Sequence, residues 1–136
     1  MAEIEEALKT YLLTKANLTA LISGRIYCDN EIPEKPTKPY IFYMYVSDII
    51  GHTHDGQLSL RSPRIQYSAC ADTRAAAIAV ANQIEAALND YSGVLSGITV
   101  QKTMLQDIDK STESNPEGTV KIHFADLEYE VNYIKS

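Results

Sequence analysis

The segment from residue 64 to residue 97 constrains the fold more than any other part of this 136-residue chain. It opens as Arg64-Ile-Gln-Tyr-Ser-Ala-Cys70, where Ile65, Tyr67 and Ala69 alternate with more polar neighbours at the period of a half-buried strand. Ala71-Asp72-Thr73 leads straight into an alanine-rich stretch that closes at Asp90-Tyr-Ser-Gly93. Asp72 is placed to cap a helix, and Ala77, Ala81, Ile84 and Leu88 make one stripe along it, flanked by Ile78, Val80 and Ala87. So many alanines let a helix lie close on a sheet. Gly93 and Gly97 bracket Val94-Leu95, and a new strand begins at Ile98. Strand, helix and strand joined this tightly specify a scaffold, and no residue among them reads as a catalyst.

The flanking sequence extends the same architecture. Ile4, Ala7, Leu8, Tyr11 and Leu12 recur at helical spacing, with Glu3, Glu5 and Glu6 at the dipole-favoured end, which predicts a helix over about 2–15. Asn17 is placed to cap a short second helix carrying Leu18, Leu21 and Ile22, with Gly24 as its left-handed stop, and Arg25-Ile-Tyr27 reads as a brief strand. Pro33, Pro36 and Pro39 bias the next stretch towards an extended path. Residues 40–47 form a strand that is apolar on both faces. Its Tyr43 and Tyr45 side is suited either to a second subunit or to an internal core. Two polar stretches read as loops: 48–57, with Asp48, Ile49, Ile50, His52, His54 and Asp55, and 109–118, with Asp109, Lys110, Glu113 and Glu117. Between them, a strand over 98–108 should turn Ile98, Val100, Met104 and Ile108 inward. Apolar parity switches at Ser62-Pro63, and again at Ala125-Asp126 in the last strand, predicting a bulge at each. The expected fold is α+β in one domain, 1–136: a mainly antiparallel sheet of four to five strands, one long Ala-rich helix packed on it, and N-terminal helices.

Charge and motifs narrow the function by exclusion. Twelve Lys and Arg against eighteen Asp and Glu give a formal charge of -6, poorly matched to tight phosphate-backbone binding. An acidic surface can still line a channel through which DNA slides without sticking. No basic-then-apolar leader and no run of about 18 apolar residues occurs, so neither export nor membrane spanning is expected. Cys28 and Cys70 stand in separate segments and are expected as free thiols. His52-Thr-His54-Asp55, with His123 as a distant third ligand, is the cluster nearest to a metal site. Asp55-Gly56 fits a tight turn with solvated histidines better, so no metal or cofactor is expected. Neither a Gly-x-Ser-x-Gly elbow nor a phosphate-binding loop is present, and Asp126, Glu128 and Glu130 alternate as a solvated or channel-facing acidic row. An enzyme is not expected.

The order of these elements carries a resemblance. Asn17-Leu-Thr-Ala-Leu-Ile-Ser-Gly-Arg-Ile-Tyr27, Lys38-Pro-Tyr-Ile-Phe-Tyr43, Arg64-Ile-Gln-Tyr-Ser-Ala-Cys-Ala-Asp-Thr-Arg-Ala-Ala-Ala77, Tyr91-Ser-Gly-Val-Leu-Ser-Gly97 and the final aromatic strand together resemble the tail-completion, or tail terminator, proteins of long-tailed bacteriophages. The resemblance implies a structural virion subunit forming a ring, a hexamer, at the head-proximal end of the tail tube. There it would stop tube growth and join the head, assembled in the bacterial host cytoplasm. Implied partners are further copies of itself, the tail tube protein and a head-completion or connector protein, with genomic DNA passing through the lumen without specific binding. The docking surfaces would match the family by position only: Asp48, Ile49, Ile50, His52, His54 and Asp55; Asp109, Lys110, Glu113 and Glu117; and Tyr43 and Tyr45 between subunits. Two other readings stay open, another neck or connector protein and a cytosolic ligand-binding domain whose tyrosine-lined sheet encloses a small molecule.

Overall fold

The structure, a computed structural model, describes residues 4–28, 31–33, 37–53, 56–95, 97–114 and 121–134. Among the described residues three helices, α1 (Ile4–Leu13), α2 (Ala16–Ile22) and α3 (Arg74–Leu88), accompany six strands: β1 (Ile26–Cys28), β2 (Tyr40–Thr53), β3 (Gly56–Ala71), β4 (Gly93–Leu95), β5 (Ile98–Ser114) and β6 (Lys121–Ile134). The strands form one sheet in the order β1-β2-β3-β6-β5-β4. Every pairing is antiparallel except β1 with β2. Two long hairpins, β2–β3 and β5–β6, are therefore laid side by side through β3 and β6, and α3 makes the connection between them.

Local sequence explains where each helix starts and what it buries. In α1, Ile4, Ala7, Leu8 and Leu12 are buried at helical spacing, with Glu5 and Glu6 in the first turn. Asn17 lies inside α2 rather than capping it; Lys15 holds the N-cap position without a side-chain bond. At the other end Ser23 takes the left-handed conformation at φ 53°, and Gly24 follows at φ 75°, so the stop is shared by two residues. For α3 the cap is Thr73, not Asp72: its hydroxyl accepts the Ala76 N–H at 3.1 Å. Asp72 pairs instead with Lys38, at 3.5 Å.

All three helices share one core with the same face of the sheet. From α3 come Ala77, Val80, Ala81, Ile84 and Leu88; from the sheet come Ile41, Tyr43, Ile65, Tyr67, Ala69, Ala71, Val100, Ala125, Leu127, Tyr129 and Val131. Tyr67 is the hub, with ring centroids 6.3 Å from both Tyr43 and Tyr129. The tyrosines thus fill the interior with one another. Burial pushes the Tyr43 hydroxyl up to about 12 and raises those of Tyr67 and Tyr129 further, so all three stay neutral.

The bulges fall elsewhere than parity predicts. Ser62 and Pro63 stay in step with Ile49 and Asp48, and Ala125 and Asp126 stay in step with Ala69 and Ser68. Val46 is an extra residue of β2 and Gln101 and Gln106 are those of β5, while a further shift between Ile50 and His52, opposite Arg61 and Gln57, puts its extra residues in β3 just before the predicted position. In β6 no bulge is needed because Ile122 and Phe124 are half-buried on the opposite face from Leu127 and Tyr129. In β5 the bulge at Gln101 turns Thr103 inward, leaving Met104 half-buried and Ile108 43% exposed instead of buried.

Thr103 closes α3 onto β5. Fully buried, its hydroxyl donates to the Leu88 carbonyl and accepts the Tyr91 N–H at 3.0 Å, while its own N–H reaches the Tyr91 carbonyl at 3.0 Å. Tyr91 in turn packs on Tyr11, centroids 4.3 Å apart, and the Tyr11 hydroxyl donates to the Ala87 carbonyl at 3.0 Å. Gly93 passes so near that a Cβ there would meet the Tyr91 hydroxyl at 2.6 Å.

Two substitutions test opposite signs of one physical effect. Thr103→Val keeps the shape but removes both bonds of a buried hydroxyl, leaving the Tyr91 N–H and the Leu88 carbonyl only their long 3.4 Å bond to each other, and equilibrium urea unfolding should show a loss of about 1–3 kcal/mol. Tyr67→Phe removes a buried hydroxyl that has no hydrogen-bond partner among the described residues, so it should leave stability equal or raise it by up to about 1 kcal/mol in the same assay.

Candidate functional site

With every helix on one side, the other face of the sheet has no cover among the described residues. Alternation from the buried positions assigns that face Tyr40, Phe42 and Met44 from β2, Arg64, Gln66, Ser68 and Cys70 from β3, Phe124, Asp126, Glu128 and Glu130 from β6, and Asp107 and Asp109 from β5. Although no helix covers them, Ser68 is 1% exposed and Cys70 0% exposed. The sheet therefore curls towards this side, with the helices on its convex back.

The concave face divides into two zones. Near β1 it is aromatic: Tyr40 packs on Tyr27 at 5.9 Å and on Phe42 at 6.4 Å. Burial raises the Tyr40 hydroxyl and the Cys70 thiol beside it, so Cys70 remains a protonated, unreactive thiol. Cys28, on a different strand, is not joined to it by a disulfide. Towards β5 the face is acidic. Asp107 stands directly opposite Glu128, and Asp109 directly opposite Asp126. With Gln66 these four carboxylates line a hollow of about 100 Å³. Arg64 Nη1 lies 3.7 Å from Glu128 Oε1 at its margin. Like charges set opposite each other each cost roughly 0.2–1 kcal/mol, so this arrangement does not serve the stability of the free subunit.

The edges of the sheet are open as well. On one side β1 pairs with Ile41, Phe42 and Tyr43, and no other strand lies beyond β2 among the described residues. On the other, β4 and the Tyr91 bond cover β5 as far as Thr103, leaving 104–114 unpaired outward among the described residues. Tyr45 and Val46, 43% and 48% exposed, mark the first edge, and Ile108 marks the second.

As far as they are described, both predicted docking loops are strand instead, over 48–53, 56–57 and 109–114. Asp48, Ile49, Ile50 and His52 continue β2, and Asp109, Lys110 and Glu113 continue β5, because each polar stretch is paired along one side by its hairpin partner. Polar composition signalled exposure, which an edge strand also has. His54, Asp55 and Glu117 lie outside the described residues. Tyr43, expected at a subunit contact, is 6% exposed in the chain's own core, which leaves Tyr45 as the surface tyrosine of that strand. His123 sits on β6 with its Nδ1 3.0 Å from the Thr112 hydroxyl, while His52 is on β2 at the other end of β3. Asp107 and Asp109 complete a site of which the sequence offered the Asp126, Glu128 and Glu130 row and, separately, Asp109 as a loop residue; Asp107 was missed, and its i, i+2 spacing from Asp109 was the available signal.

Comparison with known proteins fits this arrangement. No curated protein sequence matches the chain. Among solved structures, a chain of the "Virion of native gene transfer agent (GTA) particle" has the same fold, with a TM-score of 0.67 at 18% identity over 96% of this chain and 94% of that one. The profile of the family described as "Tail completion protein gp17" matches residues 6–131. The chain thus belongs to the tail completion protein gp17 family and is a structural protein of a phage virion.

Proposed function

We propose that this protein, acting as a single domain over residues 1–136, assembles into a ring of six that caps the head-proximal end of a phage tail tube. The ring ends tube growth and presents the surface to which a head-completion or connector protein docks, without catalysis and without a cofactor. Genomic DNA passes through its lumen without specific binding, and assembly takes place in the host cytoplasm. The observation that carries this reading is the family match over nearly the whole chain. The carboxylates of the concave face support it: they weaken the isolated subunit, and they suit a surface past which a polyanion must slide. The docking surfaces are the ends of the two hairpins, around residues 48–57 and 109–118.

The mechanism is competition for a polymer end. Tube subunits add wherever the terminal interface is open, so a ring that binds it more tightly than the next tube ring halts growth and changes what the end displays. Deleting the gene should therefore give filled heads unattached to tails, with tails overlong or uncapped in electron micrographs of lysates. Complete, normal particles would reject the reading.

Charge on the second hairpin separates docking from folding. Asp109→Lys turns the like-charged pair with Asp126 into an opposite-charged one, so thermal melting of the free subunit should stay equal or rise by about 1–4 °C. Glu113→Lys, nearer the end of the same hairpin and exposed, should lower the yield of joined particles at least several-fold, because the docking contact loses its charge match.

A further inference from the structure

We infer that the outer edge of β5, residues 106–114, takes up an extended segment of the docking partner as an added strand, one that carries lysine or arginine at alternate positions. This deepens the docking role proposed above for the second hairpin and rests on it. The stretch does nothing for the chain's own core: residues 106–114 are strand, yet every one is exposed and none joins the buried cluster. Its inner edge is paired with β6 from Asp107 to Ser114. On its outer side β4 reaches only as far as Val100, and the Thr103 N–H bond to Tyr91 is the last backbone bond there among the described residues. What remains is about 30 Å of backbone donors and acceptors, at about 3.4 Å per residue, on a fully exposed strand.

The side chains define what can lie along that edge. Cross-strand register puts Asp107, Asp109, Ser111 and Glu113 on the concave face, opposite Glu128, Asp126, Phe124 and Ile122. Ile108, Lys110 and Thr112 fall on the other face, opposite Leu127, Ala125 and His123. The concave side of the edge is thus a row of carboxylates backed by Asp126 and Glu128, where a strand bearing alternate cations is attracted and relieves the repulsion between the facing acids. On the opposite side Ile108, 43% exposed, gains cover from an apolar residue set between two cations. The same row repels a second β5 edge, because a continuous sheet would set the two acidic rows on one face. Backbone bonds along the edge give the affinity, and the carboxylates select the partner.

The test uses the free, full-length chain and a defined probe, a capped peptide of about eight residues that alternates lysine and valine, long enough to lie along 107–114. Fluorescence anisotropy should show saturable binding, and amide exchange over 106–114 should slow on the order of tenfold or more while the rest of the chain is unchanged. Two forms of the peptide N-methylated at alternate bonds, one of each parity, keep the charge. The form whose methyl groups meet β5 should bind at least tenfold more weakly, and so should a peptide with glutamate in place of lysine. Asp107→Asn, Asp109→Asn and Glu113→Gln together should weaken the lysine peptide by a similar factor without lowering the melting temperature. No saturable binding, equal binding by both N-methylated forms and the parent, or protection confined to another segment overturns the inference. Dimers of the free chain that already protect 106–114 would give the edge to a second copy and overturn it as well. Gene deletion tests the capping role in particles, so failure of strand addition and failure of that role are read in separate assays.

Discussion

A helix can rest closely on a sheet only where both surfaces are built from small side chains, and that condition is met along one line of this molecule. On α3 it is met by Ala77 and Ala81, and beneath them by Ala69 and Ala71 of β3 and Ala125 of β6. The helix crosses from one hairpin to the other and packs on both β3 and β6, which are themselves paired over residues 60–71. Enlarging any of these alanines would lift the helix from the two hairpins it joins.

The concave face follows from the same asymmetry. With all apolar cover on one side, the remaining face has only its own residues to shield it, and curvature supplied by extra residues at Val46, Gln101 and Gln106 draws them together. The aromatic zone there is quiet: its tyrosine and thiol are held neutral by burial. The acidic zone is a local cost to stability retained by the fold, and such costs are characteristic of surfaces that act on something else.

How much could be read beforehand depended on whether a signal was local. Helical spacing in α1 and α3 is local, and so is the alternation of Ile65, Tyr67 and Ala69; these elements lie where periodicity puts them. The identity of a cap was harder, because Asp72 and Thr73 are both competent and only the approach angle of β3 chooses between them. Hairpin length was illegible for a physical reason. An edge strand exposed along its side needs no apolar alternation, so residues 48–53 and 109–114 carry the composition of loops while making the hydrogen bonds of strands. Bulge positions were misplaced because parity in one strand reports on two faces, and here both faces of β6 hold apolar residues. The acidic site needed cross-strand register, which no single stretch of sequence contains.

The paired carboxylates have a further consequence for how the subunit responds to its solvent. Asp107 faces Glu128 and Asp109 faces Asp126 along one hairpin of a chain that is already net negative, so each pair repels most strongly in dilute buffer. Salt weakens repulsion between exposed charges over a length of about 10 Å at 0.1 M. The hairpin therefore gains stability as ionic strength rises, the reverse of a surface held by opposite charges.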